Sequence, residues 1–291
     1  MVVDHQVILV TGANKGIGYK SVELLSKSHP ESVILLGARD ENRGNEAVSK
    51  LSANNVHFLQ LDATDSKSID AAVQTVADKY GKLNVLINNA GIGSSSGGLE
   101  EVKKTFDVNY FGAQRVIGSF LPLLKKSREA GEDARVLIVS SEVGAWSHNL
   151  QPEDLQKVLD EVDNLSVQQL NDLSQDFLTS VQTDKKSMYD WKDLFNGYGP
   201  SKTLVSVYGR VIARELKGDG IVVVLLCPGY CATDLNNNSG YRSAEQGAES
   251  INYGLKVKLA ETGGFFQDGH AQSIKSEIPE AMKAAIAKHQ E

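Results

Sequence analysis

The chain has 291 residues, 41% of them hydrophobic and 23% charged, with a formal net charge of −7. That content suffices for one large core or two small ones, and the acidic balance excludes nucleic-acid binding through a general basic surface. The only two cysteines, Cys227 and Cys231, exclude a disulfide framework and predict two partly buried thiols in a reducing compartment. No His or second Cys pair accompanies them, so no metal site is expected.

The N-terminal "MVVDHQVILVTG" shows no basic region followed by an apolar stretch, so no signal peptide is read there. No apolar run is long enough to cross a membrane, and "KHQE" at the C-terminus carries no lipidation or retention signal. The expectation is a cytoplasmic protein that does not bind membranes.

In chain order, "QVILVT" predicts a buried strand and a helix starts near Gly16. "SVILLG" is the second strand, followed by a helix from Asp40 to about Lys50. "VHFLQL" is the third, followed by the helical "SIDAAVQTVADKY". "LNVLIN" precedes one long helix through "VKKTFDVNYFGAQRVIGSFLPLLKK", and "RVLIVSS" is the fifth strand. After a break come the helix "TLVSVYGRVIAREL", the strand "IVVVLLCP" and a last strand in "GGFFQDG". Apolar strands separated by amphipathic helices predict an α/β fold: a doubly wound parallel sheet of the Rossmann type, covered on both faces. With no repeat and no low-complexity linker, one domain over 1–291 is expected.

The stretch 146–191 breaks the alternation. It holds nine acidic and three basic residues, a net of −6. Leu155, Val158, Leu159 and Val162 fall on one helical face, and Leu170, Leu173 and Phe177 on another behind a capping box from Ser166 to Gln169. A two-helix insertion docked on the main body is predicted, with its acidic face outward.

"TGANKGIG", from Thr11 to Gly18, lies between the first strand and the first helix. Gly12, Gly16 and Gly18 allow a tight turn and close backbone approach to a pyrophosphate, and the helix N-terminus supplies donors and partial positive charge. At the end of the second strand an NAD-preferring site usually carries an acidic residue for the ribose. Here the sequence is "GARD", with Arg39 just past the strand and Asp40 after it, while Lys15 sits in the glycine loop. Two cations there suit a 2′-phosphate and point to NADP(H). In "GYGPSK", Tyr198 and Lys202 share one helical face, and Pro200 is tolerated only in a first turn. A cation is thus placed to act on a phenol.

These motifs, with Asp62 after the third strand, "NNAG" ending at Gly91, "VSS" ending at Ser141 and "CPG" starting at Cys227, resemble the short-chain dehydrogenase/reductase family over almost the whole chain. The insertion and the "KGIG" and "ARD" stretches look most like its monomeric NADPH-dependent carbonyl reductases, and plant salutaridine- and menthone-type reductases share the insertion. The resemblance implies Tyr198 as general acid and Lys202 as the residue that lowers its pKa. It makes Ser141 the group that binds the substrate carbonyl, with Ser140 toward the sheet. It gives Asn109 the role of holding a water that connects Lys202 to solvent. Asn14 and Ile17 complete the glycine loop. Asp62 and Ala63 are implied at the adenine, Asn88, Ala90 and Gly91 along the ribose, and Pro228, Gly229 and Thr233 at the nicotinamide, with Tyr198 and Lys202 also touching the cofactor.

The expectation is an NADPH-dependent reductase of ketones and aldehydes. The rivals are a specialised alcohol dehydrogenase or biosynthetic reductase on the same scaffold and, in another class, a non-catalytic NADP(H) sensor, which loss of Tyr198 or Lys202 would have favoured. The family's subunit pairing uses the long helix with Asn109 and the helix after the tyrosine. An insertion lying there predicts a monomer. Met188 and Trp191 are expected to wall the cleft and favour apolar or aromatic carbonyl compounds.

Overall fold

The computed structural model describes residues 6–93, 98–182 and 185–283. The terminal stretches "MVVDH" and "KHQE" lie outside the described residues. No helix among the described residues is long and apolar enough to cross a membrane.

The first half alternates β1 (Val7–Val10), α1 (Gly16–Ser28), β2 (Val33–Ala38), α2 (Glu41–Leu51), β3 (Val56–Gln60), α3 (Ser66–Tyr80) and β4 (Val85–Asn88). Then come α4 (Leu99–Phe106), α5 (Ala113–Glu129), β5 (Arg135–Val139), α6 (Glu142–Leu150), α7 (Glu153–Asp160), α8 (Val167–Ser180) and α9 (Tyr198–Leu216). The chain ends with β6 (Val222–Leu226), α10 (Ala244–Asn252), β7 (Phe265–Gln267) and β8 (His270–Gln272). One sheet runs β3-β2-β1-β4-β5-β6-β7-β8. Every neighbouring pair is parallel except β7 with β8. The strand order reverses between β1 and β4, where α/β sheets open a crevice at their carboxyl ends.

Strand alternation feeds two cores. Leu9, Leu35, Leu86 and Val136 face the layer of α3, α4, α5 and α9. Ile8, Val10, Ile34 and Val224 face α1, α2 and α10. Burial on both faces is why these strands read as continuous apolar runs.

Three expectations change. The long helix is not uniformly α: Asp107–Gly112 is a π-helical turn between α4 and α5, and it contains Asn109. The strand at "GGFFQDG" is β7, but it turns back at Gly269 (φ 81°) into the antiparallel β8. The segment starting at Trp146 enters midway through α6, whose first turn follows Ser141 directly.

α7 and α8 are stitched to the body from one side. The Ser166–Gln169 capping box opens α8. Leu155, Leu159, Leu170 and Phe177 are fully buried, and each such side chain contributes about 1.5–3 kcal/mol of burial. Phe177 stacks on Phe106 of α4 at 5.0 Å. Tyr110 and Gln114 each donate to Asn171 Oδ1 at 3.0 Å, and Arg214 of α9 donates to the carbonyl of Leu165 at 2.8 Å. The packing is therefore onto α4, the π turn, the first turn of α5 and α9, while Glu153, Asp154, Glu161 and Asp172 stay exposed.

Candidate active site

The crevice is lined by backbone. Gly12 and Gly16 have φ of 63° and 58°, a conformation glycine adopts without strain. A Cβ on Gly12 would lie 2.9 Å from Ala90 Cα, so only glycine lets the two loops touch. Thr11 Oγ1 accepts from the N–H groups of Asn89 and Ala90, both at 3.0 Å, and Asn89 Nδ2 donates to the Thr11 carbonyl at 2.8 Å. The glycine loop is thus locked to the "NNAG" loop. α1 starts at Gly16 with no side-chain cap, leaving the first-turn N–H groups for an anion.

A cleft of about 480 Å³ runs from this turn in two directions. At its far end lie Arg39, Asp40 and Arg43. The Arg43 N–H bonds Asp40 Oδ1 at 2.9 Å and its guanidinium bonds Oδ2 at 3.3 Å, which holds the Asp40 carboxyl below the usual carboxylate range. Asp40 is therefore spent capping α2. Asp62 accepts from Thr64 N–H at 2.9 Å and from its hydroxyl at 2.7 Å, shaping the loop after β3. The Ala63 carbonyl takes a bond from Arg115 Nε at 3.0 Å, and the same guanidinium bonds Asp107 at 2.6 Å, fixing that loop to the π turn. Lys15 pairs with Asp234 at 2.8 Å across the mouth.

At the other end is α9. Gly197, at φ 82°, turns the chain so that Tyr198 is the first residue of the helix, with Pro200 in its first turn. The Tyr198 hydroxyl is hydrogen-bonded to that of Ser141, which also accepts from Val143 N–H at 3.2 Å as the cap of α6. Lys202 is buried, donates to the Val139 carbonyl at 2.9 Å and has its Nζ 5.8 Å from the centre of the Tyr198 ring. Burial brings Lys202 down to about 8. A Cβ on Gly144 would lie 2.7 Å from the Lys202 carbonyl carbon, so α6 and α9 touch backbone to backbone.

Of the expected residues, Gly12, Asn14, Lys15, Gly16, Ile17, Gly18, Arg39, Asp62, Ala63, Ala90, Gly91, Tyr198, Lys202, Pro228 and Thr233 line the cleft. Asn88 does not: it ends β4 inside the sheet, and Asn89 lines the wall instead. Gly229 does not either, because it lies under Arg242, whose Cδ would be 2.6 Å from a Cβ there. Ser140 points at α9 rather than the sheet, with its Oγ 2.5 Å from that of Ser206. Asn109 is committed: its amide exchanges bonds with Ile92 N–H at 2.8 Å and Ile92 carbonyl at 2.9 Å, and bonds Ser201 Oγ at 3.2 Å. Its side chain clamps the loop after Gly91 rather than standing free to hold water.

Tyr198 is shifted opposite to expectation. Burial pushes the phenol up to about 12, and the Ser141 bond only tempers this. Desolvation of the phenolate is the dominant cause. Trp191 is not a cleft wall: its indole N–H bonds Asp176 at 2.8 Å and its ring lies edge-on to Phe177 at 5.4 Å, while Met188 is 79% exposed. Both thiols are fully buried rather than partly so. Arg43, Asn89 and Asp234 were missed. "ARDENR" carried the only available signal for Arg43, a cation one helical turn past the strand end.

The chain matches the short chain dehydrogenase family over residues 6–152. It is 36% identical over 258 residues to carbonyl reductase [NADPH] 3 of Mus musculus, covering 85% of this chain and 90% of that protein. The chain belongs to the short-chain dehydrogenase family. It is also 30% identical to a (+)-neomenthol dehydrogenase of Capsicum annuum, over 89% of this chain and 94% of that one. The structure of salutaridine reductase from Papaver somniferum superposes with a TM-score of 0.78 at 25% identity, covering 90% of this chain and 99% of the other. As a short-chain dehydrogenase the protein is an oxidoreductase acting between C=O and CH–OH groups, and the family's cofactor is NAD(P)H.

Proposed function

We propose that this short-chain dehydrogenase reduces ketones or aldehydes with NADPH. The observation that carries the reading is Tyr198 at the first turn of α9, bonded to Ser141 and backed by buried Lys202 at one end of a cleft whose other end holds Arg39 and Arg43. The glycine loop and the α1 N-terminus suit a pyrophosphate, and Arg39, Arg43 and Lys15 suit a 2′-phosphate. When bound, the nicotinamide supplies the hydride.

Ser141 and Tyr198 bind the carbonyl oxygen and stabilise negative charge as it develops. A phenol near 12 stays protonated at every physiological pH. That is the form needed to give a proton to an alkoxide. Lys202, at about 8, is mostly protonated at neutral pH and restores the charge balance behind the phenol. Because α8 and the segment before it cover α4 and α9, the family's helix pairing is obstructed and the working form is a monomer. NADP-linked turnover of a panel of aryl and alkyl carbonyls, followed by NADPH absorbance, tests the reading. Reduction should decline on the alkaline side as Lys202 loses its proton near 8. No turnover of any carbonyl, with cofactor binding intact, supports the sensor instead.

A further inference from the structure

The chain reaches Tyr198 through a left-handed turn. Phe195, Asn196 and Gly197 have φ of 56°, 52° and 82°, three residues of that hand in a row. Residues with side chains enter this region at a cost and normally singly, and a bulky one such as phenylalanine rarely does. The right-handed α9 then begins at Tyr198 with no side-chain cap. The hand of the backbone reverses between Gly197 and Tyr198, so the exit direction of the turn sets where the phenol points. Strain of this kind persists only where the surroundings hold it, and it gathers at active sites.

Backbone bonds close the turn: Tyr198 N–H donates to the Phe195 carbonyl at 3.1 Å and Gly199 N–H to the Leu194 carbonyl at 2.9 Å. A side chain holds its middle. Asp193 Oδ1 accepts from Gly197 N–H at 2.7 Å, and among the described residues the Asp193 carboxylate forms no ion pair. The flanks are packed. Leu194 is buried against Trp146 of α6. A Cβ on Gly197 would lie 2.7 Å from Val102 Cγ1 of α4, and one on Gly199 would lie 2.8 Å from the Leu194 carbonyl oxygen. Asp193 itself does not line the cleft, whereas Tyr198 does.

We propose that Asp193 is a positioning residue for the proton donor: by holding Gly197 N–H it keeps residues 195–197 left-handed and so fixes the direction of the Tyr198 side chain. The inference rests on the reductase reading and adds a residue to that site. Asp193 acts through the backbone and touches no reacting atom. With the turn in place, the Tyr198 ring stands in the cleft with Lys202 Nζ 5.8 Å from its centre. Without the Asp193 acceptor, Phe195 and Asn196 relax towards negative φ, the first turn of α9 rotates, and the phenol leaves the carbonyl oxygen. A shift of about 1 Å at a reacting group is enough to cost roughly 10²-fold in rate. The glycine loop at the nucleotide end is untouched, so the loss falls on kcat.

Steady-state kinetics of the full chain with NADPH and an aryl ketone test this, alongside NADPH affinity by fluorescence titration. Asp193→Ala should lower kcat by about 10²-fold and leave KM and NADPH affinity near wild type. Asp193→Asn, whose amide oxygen still accepts from Gly197, should keep most of kcat. Adding Asn196→Gly to Asp193→Ala should restore part of the loss, because glycine enters the left-handed region without strain. In a Tyr198→Phe background, Asp193→Ala should change kcat little, since the group it positions has lost its hydroxyl. Near-normal kcat in Asp193→Ala overturns the proposal, as does an equal loss in Asp193→Asn or an undiminished loss in the Tyr198→Phe background. If Asp193→Ala does not fold, Asn196→Val takes its place. A β-branched residue resists the left-handed region, so kcat should fall about tenfold with NADPH affinity kept, and an unchanged kcat overturns the proposal. If wild type reduces no carbonyl, the reductase reading is what fails, and amide hydrogen exchange then decides the turn. Exchange at Gly197 and Tyr198 should quicken at least about tenfold in Asp193→Ala and stay near wild type in Asp193→Asn, whereas unchanged exchange in Asp193→Ala overturns the proposal.

Discussion

The two ends of the cleft are held by different means. The nucleotide end is backbone: positive-φ glycines, strand ends and a helix N-terminus, locked by Thr11 and Asn89. The proposed catalytic end is side chain: Ser141 capping α6, with Tyr198 and Lys202 on α9, braced by helices from far along the chain. A backbone site binds what the whole family shares. A side-chain site can change one residue at a time.

Tyr198→Phe should break the catalytic end alone. Removing the proton donor is expected to lower kcat by about 10²–10⁴, with NADPH affinity by fluorescence titration little changed. Near-normal kcat in this variant would falsify the role of Tyr198.

The next effect concerns the brace. Phe177 is fully buried and stacked on Phe106. Phe177→Ala should cost about 3–5 kcal/mol of unfolding free energy, read by urea denaturation. Sedimentation equilibrium of the wild type at micromolar concentration should show a monomer. A stable dimer would mean that the α8 packing leaves the pairing surface free, and an unchanged midpoint for the alanine variant would mean that the brace carries little of the fold.

The contrast also explains what the sequence disclosed. The glycine loop, the apolar strands and the Tyr–Lys spacing are local patterns in which each residue's neighbours are near it in the chain, so their geometry is read directly. The capping box at Ser166 is of this kind too. The π turn at Asp107–Gly112 was not legible, because its residues fit an ordinary amphipathic helix and only packing against the Ala63 loop distinguishes them. Asn88 gave way to Asn89 because the local pattern does not show that β4 ends with Asn88 inside the sheet. The raised Tyr198 pKa depends on how deeply α6 and α9 bury the phenol, which spacing does not reveal. Trp191 was misplaced because nothing in its neighbourhood announces that Asp176, fifteen positions earlier, will hold its indole.

At the nucleotide end, Arg39→Ala should lower the NADPH over NADH ratio in kcat/KM by roughly tenfold, since a charge-assisted bond is worth about 1.5–3 kcal/mol and Arg43 remains in the lining. The wild-type ratio should favour NADPH. Parity between the two cofactors would remove the 2′-phosphate from the account.

The smallest effect distinguishes Lys15 from the arginines. Its ammonium is held 2.8 Å from Asp234, and both side chains are more than half exposed, at 59% and 65%. Such a pair is worth about 0–1 kcal/mol, so it can yield to a phosphate without large cost. Asp234→Asn frees Lys15 and removes one negative charge from the cleft mouth. NADPH should then bind up to about fivefold tighter, a gain of less than about 1 kcal/mol, and NADH should change less. The gain should shrink as salt is added, because an exposed interaction is screened. Equal tightening of both cofactors would assign the effect to the pyrophosphate rather than the 2′-phosphate. Weaker binding of both would mean that the Lys15–Asp234 pair closes the mouth over the cofactor and that its loss opens the backbone end of the cleft.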